Sequence, residues 1–264
     1  MLLPTTTQIG EVSVCLEDQG QGEPLLLLHG FPATRRLWAR VGPLLVDLGY
    51  RVVVPDLVGY GDSFAPAGLR IDMASQASWM LELLDRLELR QPVLIAHDVG
   101  SAAAQLMVVK AAERIRALAV LDGVYGAEWA MDAISSIRTW QPADSHRLYA
   151  VLARRLGKTA ELREMLRAYE GAEGGLRLIR AARDLDPTQT ADIGEQLRSS
   201  SVPAIVLWGE RDEFLSCPEV GEPLAKLLNV PIIRVPGGHF TPLDCPAEVA
   251  HALRPFLESL PPTR

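Results

Sequence analysis

Three side chains stand out by their type and by the segments that carry them: Asp98, Asp212 and His239. Asp98 lies in Val93-Leu-Ile-Ala-His-Asp-Val-Gly-Ser-Ala-Ala-Ala, residues 93–104. Here an apolar strand runs into a tight turn and then directly into a helix of small residues. Such a strand–turn–helix lifts one side chain above a sheet, and the small neighbours let backbone and helix approach closely. An aspartate before a helix is also a common N-cap, and this segment alone fits both readings. Asp212 closes Val206-Leu-Trp-Gly-Glu-Arg-Asp-Glu, an apolar strand ending in a turn. His239 sits in Val235-Pro-Gly-Gly-His-Phe, a glycine-lined loop after the next strand. Two carboxylates and an imidazole at three strand ends suit nucleophilic attack followed by base-catalysed hydrolysis. A carboxylate is already ionised at neutral pH, so Asp98 needs no base to become a nucleophile.

The elements that must hold these residues follow from periodicity. Short apolar runs bounded by Gly, Pro or Asp predict strands at Glu11–Leu16, Pro24–His29, Tyr50–Asp56, Pro92–His97, Arg116–Asp122, Val202–Gly209 and Val230–Pro236. Most are apolar on both faces, as in a parallel sheet covered by helices on both sides. Helical spacing marks Met73–Arg90, Val99–Arg114 and Glu248–Leu260. The alternation predicts a doubly wound, mostly parallel α/β sheet. It breaks between about Val124 and Ser199, where three or four helices are expected as an insertion over the carboxyl ends of the strands, the end where open α/β sheets carry their sites. The expected division is 1–123 for the first part of the core, 124–199 for a helical cap and 200–264 for the rest of the core.

Composition narrows the function classes. The 264 residues are 48% hydrophobic and 22% charged, which excludes wholesale disorder. A net charge of −7 argues against a protein that tracks nucleic-acid phosphates. Three scattered cysteines (Cys15, Cys217, Cys245) support neither a disulfide framework nor a cysteine zinc site. The start, MLLPTTTQIGEVSV, does not read as a signal peptide, and no apolar run is long enough for a membrane span, so a cytoplasmic location is the expectation. No histidine–carboxylate cluster suggests a metal and no glycine-rich phosphate loop suggests a nucleotide, so no cofactor is expected.

The chain order Asp98, Asp212, His239, together with His29-Gly-Phe-Pro32 and Asp56-Leu-Val-Gly-Tyr-Gly-Asp-Ser63, resembles the α/β-hydrolase family. Within it, the sequence is similar to the branch with an aspartate nucleophile, which contains epoxide hydrolases and haloalkane and haloacetate dehalogenases. The resemblance covers nearly the whole chain and equates the helical insertion with the family's cap. It implies that Asp98 attacks carbon to form an alkyl ester, that His239 activates the hydrolytic water, and that Asp212 orients the imidazole. It also implies an oxyanion hole from the backbone N–H groups of Phe31 and Val99. Asp122, at the end of the Leu118–Leu121 strand, is the alternative acid, because some relatives carry the acid there. His29 and His97 are read as packing and backbone-bonding residues, and His251 as surface or packing.

The leaving group is less defined. Opening an epoxide needs a proton on the departing oxygen, which the family supplies from its cap; Tyr149 and His146 are the candidates, with Tyr169 and Tyr125 behind them. Ile179 stands where relatives often place a second tyrosine. Haloalkane dehalogenases usually follow the nucleophile with Trp, and haloacetate dehalogenases with arginines, whereas Val99 and Ala102 stand here. Arg35, Arg36 or Arg183 are the residues that would have to compensate. The expected activity is hydrolysis of a small apolar epoxide to a vicinal diol, with haloalkane or haloacetate dehalogenation as the alternative. An esterase-like or non-hydrolytic enzyme using Asp98 as an acid–base group is the further alternative. A binding module without turnover fits poorly with an intact Asp–Asp–His set.

Overall fold

A computed structural model describes residues 4–262 except 128, 130, 157 and 158, so the first three residues of the start discussed above and the last two of the chain lie outside it. Eight strands form one sheet: β1 (Thr5–Ile9), β2 (Val12–Gln19), β3 (Pro24–Leu28), β4 (Arg51–Pro55), β5 (Val93–His97), β6 (Ala117–Leu121), β7 (Ala204–Gly209) and β8 (Ile232–Val235). Their spatial order is β1-β2-β4-β3-β5-β6-β7-β8. β1 and β2 form an antiparallel hairpin and β2 runs antiparallel to β4, while every later pairing is parallel. Every residue of the central strands β5 and β6 is buried, as two-sided coverage by helices requires.

The predicted strands are present with ends shifted by up to three residues, and β1 is additional. Its sequence, TTTQI, lacks an apolar run because it is a half-exposed edge. The helices are α1 (Val41–Asp47), α2 (Met73–Arg86), α3 (Gly100–Ala111), α4 (Met131–Ile137), α5 (His146–Leu156), α6 (Ala160–Leu166), α7 (Gly171–Asp184), α8 (Gly194–Ser199), α9 (Glu222–Leu228), α10 (Thr241–Asp244) and α11 (Pro246–Ser259). α2 begins where expected, N-capped by Asp72 onto the Ser75 N–H, and stops four residues early, where Glu88 takes a left-handed φ of 52°.

Between β6 and β7 the described residues form five α-helices, α4 to α8, rather than three or four, because short turns interrupt the periodic stretches. This insertion lies over the carboxyl ends of β3 and β4. The Tyr169 hydroxyl donates to the Ala33 carbonyl (3.1 Å), and the Thr34 hydroxyl to that of Met165 (3.3 Å). Arg180 reaches the carbonyls of Ala65, Pro66 and Leu69, and the Ile71 N–H donates to Asp184 (2.8 Å). Trp129 and Leu148 are buried in it, and Trp140 is half-buried against the core. Among the described residues no helix is long and apolar enough to cross a membrane. The three cysteines are buried and free.

Candidate active site

Asp98 follows β5 directly and adopts a left-handed φ of 51°, a conformation that Asp tolerates better than most residues. The turn closes through the Ser101 N–H (3.0 Å) and hydroxyl (2.7 Å), both donating to the Asp98 carbonyl. Two glycines make room for it: a Cβ on Gly30 would collide with the Asp98 carboxylate, and one on Gly100 with the His29 carbonyl. These contacts assign Asp98 to a raised turn between strand and helix. The N-cap reading is not the geometry here, since helix α3 has Val99 at its N-cap position with no side-chain cap bond.

One oxygen of Asp98, Oδ1, accepts the backbone N–H of Phe31 at 2.7 Å. The other, Oδ2, lies 3.5 Å from Nε2 of His239, whose Nδ1 lies 2.9 Å from Oδ2 of Asp212. Asp212 in turn accepts the N–H groups of Phe214 (2.8 Å) and Leu215 (2.9 Å) on its remaining oxygen. All three side chains are almost wholly buried. Burial by itself would raise the pKa of Asp98, but the hydrogen bond and charge of His239, with help from His97 and the Val99 N–H, outweigh it and hold the carboxyl below its usual range. Burial would lower that of His239, yet the two carboxylates on either side push it up to about 10. The imidazole is walled by the rings of Phe214 (5.2 Å), Phe240 (5.1 Å) and His97 (4.9 Å).

The structure thus brings together Asp98, Asp212, His239, Phe31 and Val99. Asp122 sits apart from the imidazole. Its oxygens are taken by the Gly209 N–H (2.6 Å) and the Thr241 hydroxyl (2.5 Å), and among the described residues it makes no hydrogen bond to His239. Burial raises its pKa to about 8. His97 places Nε2 2.8 Å from the His239 carbonyl, and His29 places Nδ1 2.8 Å from the Gly30 carbonyl while Nε2 accepts the Leu57 N–H. Burial lowers both rings to about 4, so each is neutral at pH 7.

The proposed proton donors are placed differently. His146 is exposed and bonds the Ala143 carbonyl (2.7 Å), while Tyr149 meets Arg163, which stacks over its ring at 5.6 Å. Both line a cavity of about 600 Å³ within the insertion, together with Leu148, Leu166 and Tyr169; Asp98, Asp212 and His239 are not among its walls. Tyr169 spends its hydroxyl on Ala33, as described above. The candidate compensating arginines are also engaged: Arg35 with Asp56, Asp62 and Glu17, Arg36 with Glu17, and Arg183 with the Arg138 carbonyl.

The Arg35 network is the part of the site that sequence reading missed. Asp56 accepts the N–H groups of Arg35 (2.7 Å) and Asp62 (2.8 Å) and pairs with the Arg35 guanidinium. It thereby ties the loop bearing Phe31 to the loop after β4. The signal was present in the Asp56–Ser63 motif, whose Gly61 has no room for a Cβ beside Asp56. Among the described residues Cys15, Asp56 and Asp62 converge closely enough to suggest a metal, but the guanidinium already answers both carboxylates.

The geometry agrees with comparisons to known proteins. Residues 23–156 match the model of the alpha/beta hydrolase fold family. A fluoroacetate dehalogenase from a Burkholderia species is 30% identical over 94% of this chain and 91% of its own length. An epoxide hydrolase from Caballeronia sordidicola is 33% identical over 40% of this chain and 33% of its own length. In fold, a haloalkane dehalogenase from Bradyrhizobium elkani superposes with a TM-score of 0.80 at 20% identity, covering 97% of each chain. With the sheet order, the raised Asp98 turn and nearly full-length likeness to such relatives in view, the chain belongs to the α/β-hydrolase family.

Proposed function

We propose that the protein hydrolyses a small apolar epoxide to a vicinal diol through a covalent ester on Asp98. The observation that carries this reading is the division of labour on that carboxylate: one oxygen bound to the Phe31 N–H and the other facing His239. The free oxygen attacks carbon, the carbon–oxygen bond of the epoxide breaks, and the departing oxygen takes the electron pair and a proton. His239 then deprotonates water that adds to the ester carbonyl, with Asp212 fixing the imidazole. The oxyanion develops on the oxygen already held by Phe31, next to the Val99 N–H, so its stabilisation is organised before substrate arrives. One such donor contributes about 3–4 kcal/mol. Residues 124–199 act as the cap that keeps water from the site before the ester forms.

Epoxide is favoured over halide by what surrounds Asp98. Val99 offers no side-chain N–H to a departing halide, and Arg35, Arg36 and Arg183 are engaged elsewhere, so none of these three is free to hold a haloacetate carboxylate. Dehalogenation is the second reading, favoured by the nearly full-length likeness to a fluoroacetate dehalogenase. The test is the intact mass of a His239→Gln variant incubated with epoxides, haloalkanes and haloacetates. Ester forms but its hydrolysis stalls. An added mass equal to a whole epoxide on the Asp98 peptide supports the first reading; the mass of a halide substrate less HX supports the second. No adduct with any of them sinks the nucleophile assignment and moves the chemistry to acid–base work at Asp98.

A further inference from the structure

His239 is caught between two buried carboxylates, one on each ring nitrogen, and this is an arrangement for a cation. Asp212 meets Nδ1 at 2.9 Å and Asp98 meets Nε2 at 3.5 Å, with the three side chains at most 11% exposed. An acceptor on each nitrogen is satisfied only if both carry hydrogen. The other groups facing the ring do not supply an alternative. His97 is neutral and its Nε2 is engaged with the His239 carbonyl. Asp122 is bonded to Gly209 and Thr241, and Asp244 takes the Gly238 N–H at 2.8 Å. Phe214 and Phe240 present only aromatic faces and edges.

We propose that the resting enzyme holds His239 as an imidazolium, and that ester formation on Asp98 discharges its proton and thereby creates the neutral base. This rests on the reading of Asp98 as nucleophile. While Asp98 is a carboxylate, it stabilises the cation 3.5 Å away; once it is an ester, that charge is gone and Asp212 alone opposes the burial. An opposite charge within about 4–6 Å is worth roughly one to three units of pKa, enough to bring the ring down from about 10 to where its neutral form is populated.

The proton balance is complete. In the first step the oxygen–carbon bond of the ester forms and the epoxide carbon–oxygen bond breaks. The departing oxygen receives the electron pair, and the proton lost by His239 ends on it. In the second step water adds to the ester, the diol leaves, Asp98 becomes a carboxylate again and His239 keeps the proton taken from water. The site therefore brings its own acid equivalent to the ring opening, in a structure where Tyr149 and His146 line a separate cavity. With a halide the same proton is released to solvent alongside the anion.

The experiment is nitrogen-15 NMR of the imidazole side chains in the full-length protein, with the His239 resonances assigned by their loss in His239→Gln. Three forms are compared at pH 9, below the wild-type value of about 10 and above the lowered one: wild type, Asp98→Asn, whose neutral amide imitates the ester, and Asp98→Glu, which keeps the charge. Backbone spectra of each confirm that the fold is retained. The expected result is a doubly protonated His239 in wild type and Asp98→Glu. In Asp98→Asn a singly protonated ring is expected, its titration lowered by about two units or more. A neutral ring in wild type overturns the proposal, as does a cation that persists in Asp98→Asn. An adduct in His239→Gln with a neutral wild-type ring removes this proposal and leaves the nucleophile; no adduct removes both.

Discussion

The carboxyl end of the sheet and the insertion above it are built by different means. Around Asp98 the geometry is held largely by main chain: the Phe31 N–H on one oxygen, the Ser101 N–H on the carbonyl, and the Phe214 and Leu215 N–H groups behind Asp212. The insertion is held by long side chains reaching carbonyls, as Arg180 reaches Ala65, Pro66 and Leu69 and Arg177 reaches Gly61. Main-chain scaffolding leaves side chains such as Phe31 and Val99 free to change without loss of the donor. Side-chain scaffolding can be rewritten residue by residue, which would suit a cap that selects substrate in the proposed reaction.

That contrast predicts steep losses at the sheet end and shallow ones above it. Asp98→Asn should abolish turnover, by about 10⁴-fold or more in kcat, while retaining the fold. A single turnover of wild type in oxygen-18 water should place the label in the Asp98 peptide and leave the first product unlabelled; label appearing directly in product would show that water, not Asp98, attacks carbon. Asp212→Asn should lower kcat by about 10³–10⁴-fold through loss of the imidazole orientation. Asp122→Asn should cost less than about tenfold. Equal losses at the two positions would erase the distinction between them. Tyr149→Phe, in the insertion's own cavity, should change kcat by less than about threefold, and a larger loss would place Tyr149 in the chemistry.

Asp122 offers a finer test through stability. Burial raises its pKa to about 8, against about 3.9 for an unfolded aspartate. Between those values the folded state keeps a proton that the unfolded state has released, so this group makes stability fall as pH rises from about 4 to 8. Melting temperatures of Asp122→Asn across that range should decline less than those of wild type. An identical slope would show that Asp122 is ionised in the folded protein. His239 shifts in the same direction for a different reason, the flanking carboxylates rather than burial: its stabilising share is full below the unfolded value near 6.5 and disappears as pH rises through about 10.

Different parts of this molecule were legible in the sequence for different reasons. β5 and the turn at Asp98 announce themselves because a buried parallel strand is a short apolar run and a tight turn demands small neighbours. β1 does not, since a polar edge strand owes its place to pairing with β2 rather than to its composition. Asp212 is the expected acid and Asp122 the alternative, because both end apolar strands; the 2.9 Å contact of His239 with Asp212 favours the first, while Asp122 is bonded to Gly209 and Thr241, partners that no spacing encodes. Tyr149 lay at a suitable distance along the chain from Asp98, yet helix packing turns it towards Arg163 and a different cavity.

Ser101 joins the two regions. Its hydroxyl donates to the Asp98 carbonyl and accepts the N–H of Val124 at 3.0 Å, at the root of the insertion. Gln105, one turn along α3, holds the Val124 carbonyl at 2.8 Å. For anyone grafting a new lid onto this scaffold, the splice belongs beyond residue 124. A junction placed earlier would disturb the Val124 bonds that hold Ser101 and Gln105 in place beneath the lid.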